Sequence, residues 1–355
     1  VKIKVDNNKA GKFGMKIRIP GWVKGQPVPS DLYSYTDASR PTYKITVNGR
    51  SVSASLTDDG YYTIERNWKK GDVVNVHFDM DVRTVRADNK VEADRGMVSV
   101  ERGPLVYCAE WRDNAFDIMS VLLNREPKFS EGELPYSSFI ADSLKTKLQL
   151  YRDQNITTLA TDAQTLAYDN SGKLTTNNVK LELIPYFAWC HRGSGNMKVW
   201  LPQDVKATRP SAPATLASQA KIASSTPSSS MRSIADGLVP ADENDRSVPY
   251  FHWWPKQNTT EWITYTFPEA KQIQSTTVYW FDDQPWGGCK IPDSWTIQYK
   301  DANGNWQNVE NVDSYPIKKG TACTANFKPV KTSEVKILVK QPAKYSCGLF
   351  EWSVK

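Results

Sequence analysis

Apolar and polar residues alternate at every second position from one end of the chain to the other. No segment carries the i, i+3, i+4, i+7 stripe of an amphipathic helix. A period of two sends neighbouring side chains to opposite faces of a pleated strand, so the chain must build sheets with one face buried. The clearest candidates are 15–19, 43–47, 61–66, 73–80, 97–101, 179–183, 197–201, 277–281, 295–299 and 335–339. Turn residues fall between them: Asn48-Gly49, Asp59-Gly60, Lys70-Gly71-Asp72, Asn170-Ser171-Gly172 and Asn303-Gly304. Asn-Gly and Asp-Gly tolerate the positive φ that suits the twist of tight hairpins. Many short strands with closely spaced turns predict an all-β chain of sandwiches or jelly rolls. A helix around 138–151 is the one exception that the pattern admits.

With 355 residues, two to three domains are expected. Nineteen of the 24 residues from Ala207 to Ser230 are Ala, Ser, Thr or Pro, and none is acidic. Such a stretch has little to bury, so its early part, 207–212, reads as a linker. A softer seam lies at Trp111–Asn114. Three β modules follow: 1–111, 112–206 and 213–355. The opening residues, Val1-Lys2-Ile3-Lys4-Val5, already alternate, as expected of a piece cut from a longer polypeptide.

Composition excludes several function classes. Net charge is +6 and no run of five or six basic residues occurs, which argues against nucleic-acid binding. The best apolar runs, 104–109 and 187–190, are far short of a membrane span. Five cysteines at wide spacings form no zinc-ligand pattern. Cys289, Cys323 and Cys347 in the last module are compatible with one disulfide or with free thiols. The three histidines, 77, 191 and 252, offer no nucleophile–base arrangement. His77 sits on a strand face, and Cys190 and His191 are adjacent and so point apart. Asp79 with Asp81, and Glu92 with Asp94, are i, i+2 pairs of the kind found on solvated sheet faces.

Tryptophan is the informative residue. Eight of thirteen fall after residue 212. Each can bury ~150–250 Å², more than one small core can absorb, so some should lie at the surface. Trp262, Trp295 and Trp352 alternate as core residues. In His252-Trp253-Trp254-Pro255 an extended backbone points one indole in and the other out. Asp282-Asp283 lies beside Trp280, Phe281 and Trp286 in the Gly-containing loop 284–289. Carboxylates beside aromatic rings suit sugars, which need flat apolar surfaces and hydrogen-bond acceptors. An Asx turn closing the loop explains the same two aspartates equally well. The candidate carbohydrate-binding residues are therefore His252, Trp253, Trp254, Asp282, Asp283 and Trp286. Asp236-Gly237 and the loop 242–245 are oxygen-rich, as calcium prefers, though without EF-hand spacing.

Four groups of residues carry a resemblance. They are Lys16-Ile17-Arg18-Ile19-Pro20-Gly21-Trp22; Val47-Asn48-Gly49; Gly60-Tyr61-Tyr62 with Trp68-Lys69-Lys70-Gly71-Asp72; and Glu101-Arg102-Gly103-Pro104-Leu105-Val106-Tyr107. They resemble the middle β-sandwich of glycoside hydrolase family 127, which includes β-L-arabinofuranosidases. Pro185-Tyr186-Phe187-Ala188-Trp189 and Met197-Lys198-Val199-Trp200-Leu201 resemble the end of that family's C-terminal sandwich. Residues 213–355 resemble a discoidin-like (factor 5/8 type C) jelly roll related to family 32 carbohydrate-binding modules. The carriers are Asp236-Gly237, Glu261-Trp262-Ile263, Pro292-Asp293-Ser294-Trp295 and Gly348-Leu349-Phe350-Glu351-Trp352.

The resemblance implies a division of labour. Family members act from an upstream helical (α/α)₆ barrel bearing a glutamate acid/base and a zinc-associated cysteine nucleophile. No such barrel fits here, and Cys108 and Cys190 do not correspond to those cysteines. No catalytic residue and no catalytic zinc are expected in this chain. Calcium in discoidin-like modules often sits by the Asp-Gly loop and the C-terminal Glu, which Asp236 and Glu351 match. The expected function is a non-catalytic accessory region of a glycoside hydrolase. It would buttress its own barrel and bind polysaccharide or oligosaccharide, in the periplasm or outside the cell. Purely structural modules without sugar binding are the first alternative, and a hydrolase in its own right the second.

Overall fold

The computed structural model describes residues 1–52, 56–140, 154–192 and 195–355. Its contacts divide the chain into two compact units. The first is 1–165 with 177–192 and 196–209; the second is Pro210–Lys355 with the hairpin tip Leu166–Thr176 and the short segment Gly193–Gly195. The all-β expectation holds: apart from short 3₁₀ turns and the four-residue helix Leu216–Gln219, the described elements are strands.

In the first unit, Lys2–Lys4, Val73–Phe78, Tyr43–Val47 and Arg50–Ser51 form one sheet, and Lys12–Arg18 pairs with Tyr61–Asn67. The inward positions of these strands meet in a core containing Ile17, Ile19, Ile45, Val47, Ile64, Trp68, Val74 and Val76. Asn48 and Gly49 both have positive φ, as a hairpin turn matched to strand twist requires. The turn is tied down by the buried Asp72, which accepts from Asn48 Nδ2 at 2.8 Å and Lys69 N at 2.9 Å.

A second sheet runs Val121–Leu123, Asn155–Tyr168, Leu174–Pro185, Leu105–Glu110, Met97–Arg102, Val82–Ala87 and Tyr33–Tyr35. The expected seam at Trp111–Asn114 is therefore placed differently. Strands 82–110 are bonded into this second sheet, with Tyr107 opposite Pro185, so the change of sheet falls near residue 81. The polar residues after Glu110 mark a loop between strands, which by pattern alone looks like a domain edge. Of the helix expected at 138–151, a 3₁₀ turn spans Tyr136–Phe139, and 141–153 lie outside the described residues.

The second unit is a sandwich arranged around the 22-residue strand Thr260–Phe281. It pairs with Cys323–Lys340 for most of its length, with Lys221–Ser224 on its first half and with Gly348–Val354 on its second. Two register shifts, at Thr266/Lys271 and Ile273/Ser275, interrupt its ladder with Cys323–Lys340. The core holds Trp253, Trp280, Trp295 and Trp352. Trp352 stacks on Tyr265 with ring centroids 4.1 Å apart and donates its Nε1–H to Thr276 Oγ1 at 2.7 Å. Trp295 Nε1 donates to Pro316 O at 2.9 Å.

Trp262 differs from expectation. Ile263, Tyr265 and Phe267 are the inward set, which leaves Trp262 half-buried on the outer face. A one-residue choice of parity decides this, and the neighbour Glu261 is buried instead, accepting from Ser225 Oγ and Thr259 Oγ1. The expected linker, 207–212, contains the division between the two units at Arg209/Pro210, and its Ser211 has main-chain partners. Ser211 N donates to Leu166 O at 2.9 Å and Tyr168 N donates to Ser211 O at 3.0 Å. The helix Leu216–Gln219 starts in a Thr215–Ser218 capping box. Small residues here serve close packing: Ala217, Ala220 and Ser224 are all buried. All five cysteines are free thiols.

Replacing Trp352 by Ala removes the stack and leaves a cavity, a change worth about 3–5 kcal/mol. Urea denaturation of the chain should show a markedly lower midpoint for the second unit.

Candidate functional site

The Thr260–Phe281 strand ends in Asp282, whose carboxylate turns inward. Its side chain is fully buried, accepts from Gln284 N at 3.0 Å and Ile291 N at 3.2 Å, and pairs with Lys319 Nζ at 2.9 Å. Asp283 follows with a different task. Its Oδ1 accepts from Cys289 N at 2.8 Å, and Arg246 Nη2 lies 3.7 Å from Oδ2. Its carbonyl oxygen accepts from Trp286 N and Gly287 N, both at 2.9 Å. Gln284 Nε2 donates to Gly287 O at 2.6 Å and Cys289 O at 3.2 Å. The main chain thus curls tightly around the two carboxylates and the Gln284 amide, and Trp286 is carried to the tip, 89% exposed.

The two glycines of the loop are required by close approach. A Cβ on Gly287 would stand 1.9 Å from Asp283 Oδ2, and one on Gly288 would stand 2.6 Å from Trp254 Nε1. The second distance places Trp254 directly against the loop that carries Trp286. Trp253 and Trp254 diverge as an extended backbone dictates: the first is in the core against Phe251, the second is 56% exposed. Behind them Tyr250 stacks on Phe281 at 4.0 Å, and Arg246 lies over both rings while its Nη1 donates to Tyr250 Oη at 2.5 Å. His252 is exposed nearby, within the electrostatic reach of Asp283.

The structure therefore brings together His252, Trp254, Asp283 and Trp286. Trp253 is core, with no face to offer a ligand. Asp282 is enclosed, its oxygens taken up by main-chain N–H groups and Lys319, so it positions the loop and cannot reach a sugar hydroxyl. Arg246, Tyr250 and Gly288 were not singled out from sequence. The Gly287-Gly288 pair beside an aromatic was the available signal, since adjacent glycines in an ordered loop mark where something approaches the backbone.

Asp236 and Glu351 also meet. Gly237 N donates to Glu351 Oε2 at 3.2 Å, and Leu238 N donates to Asp236 Oδ1 at 2.9 Å. Gly237 has φ +75°, and a Cβ there would collide with Ala212. Burial, and then the charge of Asp236, push the Glu351 carboxyl up to about 8. Two crowded carboxylates in low dielectric are what a hard cation relieves, and the donors are all oxygen, so their chemistry fits calcium and does not fit zinc. Among the described residues no third His, Cys, Asp or Glu joins them. The loop 242–245 is used locally: Asp242 and Asp245 accept from Asn244 N, Ala241 N and Ser247 N.

Residues elsewhere that could suggest catalysis are otherwise engaged. Cys108 is buried, and burial followed by the nearby Glu110 and Asp113 pushes its thiol up to about 12, the reverse of what a nucleophile needs. Asp79 is bonded to Thr42 and His77 on an exposed strand face. Glu92 pairs with Arg95 at 3.6 Å.

Comparison with known proteins follows this division. Residues 1–80 match the profile described as beta-L-arabinofuranosidase, GH127 middle domain, and 82–202 match the glycoside hydrolase family 127 C-terminal domain. The chain carries the middle and C-terminal domains of glycoside hydrolase family 127. Residues 241–337 match a NedA-like, galactose-binding domain. A non-reducing end beta-L-arabinofuranosidase of Bifidobacterium longum subsp. longum is 31% identical over 195 residues, 53% of this chain and 25% of that protein. The solved structure of a GH127 beta-arabinofuranosidase is 53% identical with a TM-score of 0.50, covering 57% of this chain and 29% of its own. Another, from Geobacillus stearothermophilus T6, is 29% identical with a TM-score of 0.43, covering 57% and 28%. The chain thus spans between a quarter and a third of the length of these relatives. The seam near residue 81 coincides with the boundary between the two family 127 profiles.

Asp282→Ala should lower the unfolding free energy measured in urea by about 1–3 kcal/mol, because two loop N–H groups lose their acceptor. Trp286→Ala should change that free energy by less than about 0.5 kcal/mol, because the ring rests on almost nothing.

Proposed function

We propose that this chain is the non-catalytic accessory region of a longer glycoside hydrolase, and that its second unit holds carbohydrate. The observation that carries the reading is the pair Trp254 and Trp286, two indoles exposed on one stiffened loop cluster. Stacking of pyranose or furanose C–H faces on such rings, with His252, Asp283 and Arg246 beside them for hydroxyl groups, supplies both a surface and polar partners. Because the loop is held by main-chain bonds, little ordering is needed on binding.

The parent enzyme is read as β-L-arabinofuranosidase-like, from the family 127 relatives, with its catalytic barrel supplied by a part of the polypeptide outside residues 1–355. The two sandwiches of the first unit buttress that barrel. The second unit raises the enzyme's effective concentration at a polysaccharide. Such work belongs in the periplasm or outside the cell. Asp236 and Glu351 would hold a calcium ion, whose charge offsets the buried Glu351 and half-buried Asp236 carboxylates and stiffens the Asp236-Gly237 turn. No helix among the described residues is long and apolar enough to cross a membrane.

Affinity electrophoresis of the chain through gels containing arabinan, arabinogalactan or galactan should show retardation by at least one of them. The Trp254→Ala, Trp286→Ala double variant should bind about tenfold more weakly or worse, as loss of two stacking contacts predicts. Normal retardation of that variant would reject the site. Turnover of an aryl arabinofuranoside by this chain would reject the non-catalytic reading. Calcium should raise the thermal midpoint relative to EDTA, and Glu351→Gln should remove the difference.

A further inference from the structure

The outer face of the second unit's sheet carries aromatic and basic residues that the loop site does not use. On this face the pleat points Tyr265, Val335, Ile337 and Ile297 into the core and leaves Trp262, Lys336, Gln298 and Trp306 half-buried outside. Register brings them together across four strands. Lys336 lies opposite Thr264 on one side and Gln298 on the other, Trp262 is opposite Leu338, and Trp306 is opposite Lys300. Lys336 Nζ sits 3.7 Å from the centre of the Trp306 ring and 6.0 Å from that of Trp262. Lys300 Nζ is 5.5 Å from the Trp306 ring. Two indoles and two ammonium groups therefore share one patch, small enough to be spanned by a disaccharide.

Charge on the patch is unbalanced. Its carboxylate, Glu334, is bonded to Lys300 at 2.7 Å. Lys336 has no carboxylate within ion-pair distance among the described residues. Burial, and then the charge of Lys300, draw the Lys336 amine below the usual lysine range. The indole faces compensate an ammonium ion only in part. An anionic group brought against Lys336 would complete the pairing while its carrier lay on the rings. A polymer with only phosphate or carboxylate charge would use the lysines and leave the tryptophans idle. A neutral sugar would do the opposite.

We propose that this sheet face, centred on Trp262, Lys336 and Trp306, is a second glycan-binding surface, selective for acidic sugars of the uronic acid class. A pyranose C–H face stacks on Trp262, and the uronate carboxylate pairs with Lys336, which is seated on the Trp306 ring, with Gln298 within the patch as a hydrogen-bonding group. The surface is separate from the Trp254–Trp286 loop cluster, so the chain would hold a polysaccharide bearing both neutral and acidic residues at two places.

The test uses the full chain in affinity electrophoresis against polygalacturonate, with poly-L-glutamate as a charge-matched polymer without sugar rings. Retardation by polygalacturonate should exceed that by poly-L-glutamate and should weaken with added NaCl. Lys336→Gln and Trp306→Ala should each reduce polygalacturonate binding about tenfold. The Trp254→Ala, Trp286→Ala variant should retain it in full, which separates this surface from the loop site whatever the fate of neutral-glycan binding. If Trp306→Ala shifts the urea midpoint, Lys336→Gln decides, because it keeps the side chain's length. No polygalacturonate binding, equal retardation by poly-L-glutamate, or loss of binding in the loop variant would each overturn the proposal.

Discussion

Pleat parity along Thr260–Phe281 governs the second unit. One set of alternate residues, Ile263, Tyr265 and Phe267, goes into the core, and the complementary set is left outside. Past two register shifts the strand's second half turns Val278 and Trp280 inward and pairs with Gly348–Val354 as well. A slip of one residue would bury Trp262 and Thr266 and expel the tyrosine on which Trp352 stacks. The same strand delivers Asp282 to its end, so the loop geometry is a continuation of the sheet. Core, loop and outer face are three consequences of one register.

Much of the architecture was legible because strand period and turn chemistry are local. Asn48-Gly49 and the alternation at 73–78 suffice to draw a hairpin sheet, and the divergence of Trp253 from Trp254 follows from extended backbone alone. What failed was non-local. Trp262 reads as core by alternation, but alternation gives a period without saying which phase faces inward; only the partner strands decide that. The seam near residue 81 was invisible because the chain changes its hydrogen-bonding partner there without any break in pattern. The expected linker 207–212 does contain the division between the two units, at Arg209/Pro210, and what composition could not give is the specific main-chain pairing of Ser211 within it.

At the loop, sequence grouped residues that the fold also brings together but could not apportion them. Asp282 and Asp283 are indistinguishable in a string of letters. In the fold one faces inward and is satisfied by two main-chain N–H groups and Lys319, while the other stays at the rim beside Arg246. Of the two alternatives weighed for the pair, the structural turn is seen directly in Asp282 and in the Asp283 Oδ1 bond to Cys289 N. Asp236 and Glu351, far apart in sequence, are drawn together because the last strand lies against the Ser229–Ala235 turn; Gly237 lets the backbone close the gap.

The bonds that hold the Trp286 tip come from Asp282, Asp283 and Gln284 and end on main-chain atoms. Residue 286 therefore contributes shape without contributing stability. Single substitutions there would leave the scaffold unaware of the change. Such a tip is free to drift, so its shape can change long before the fold does.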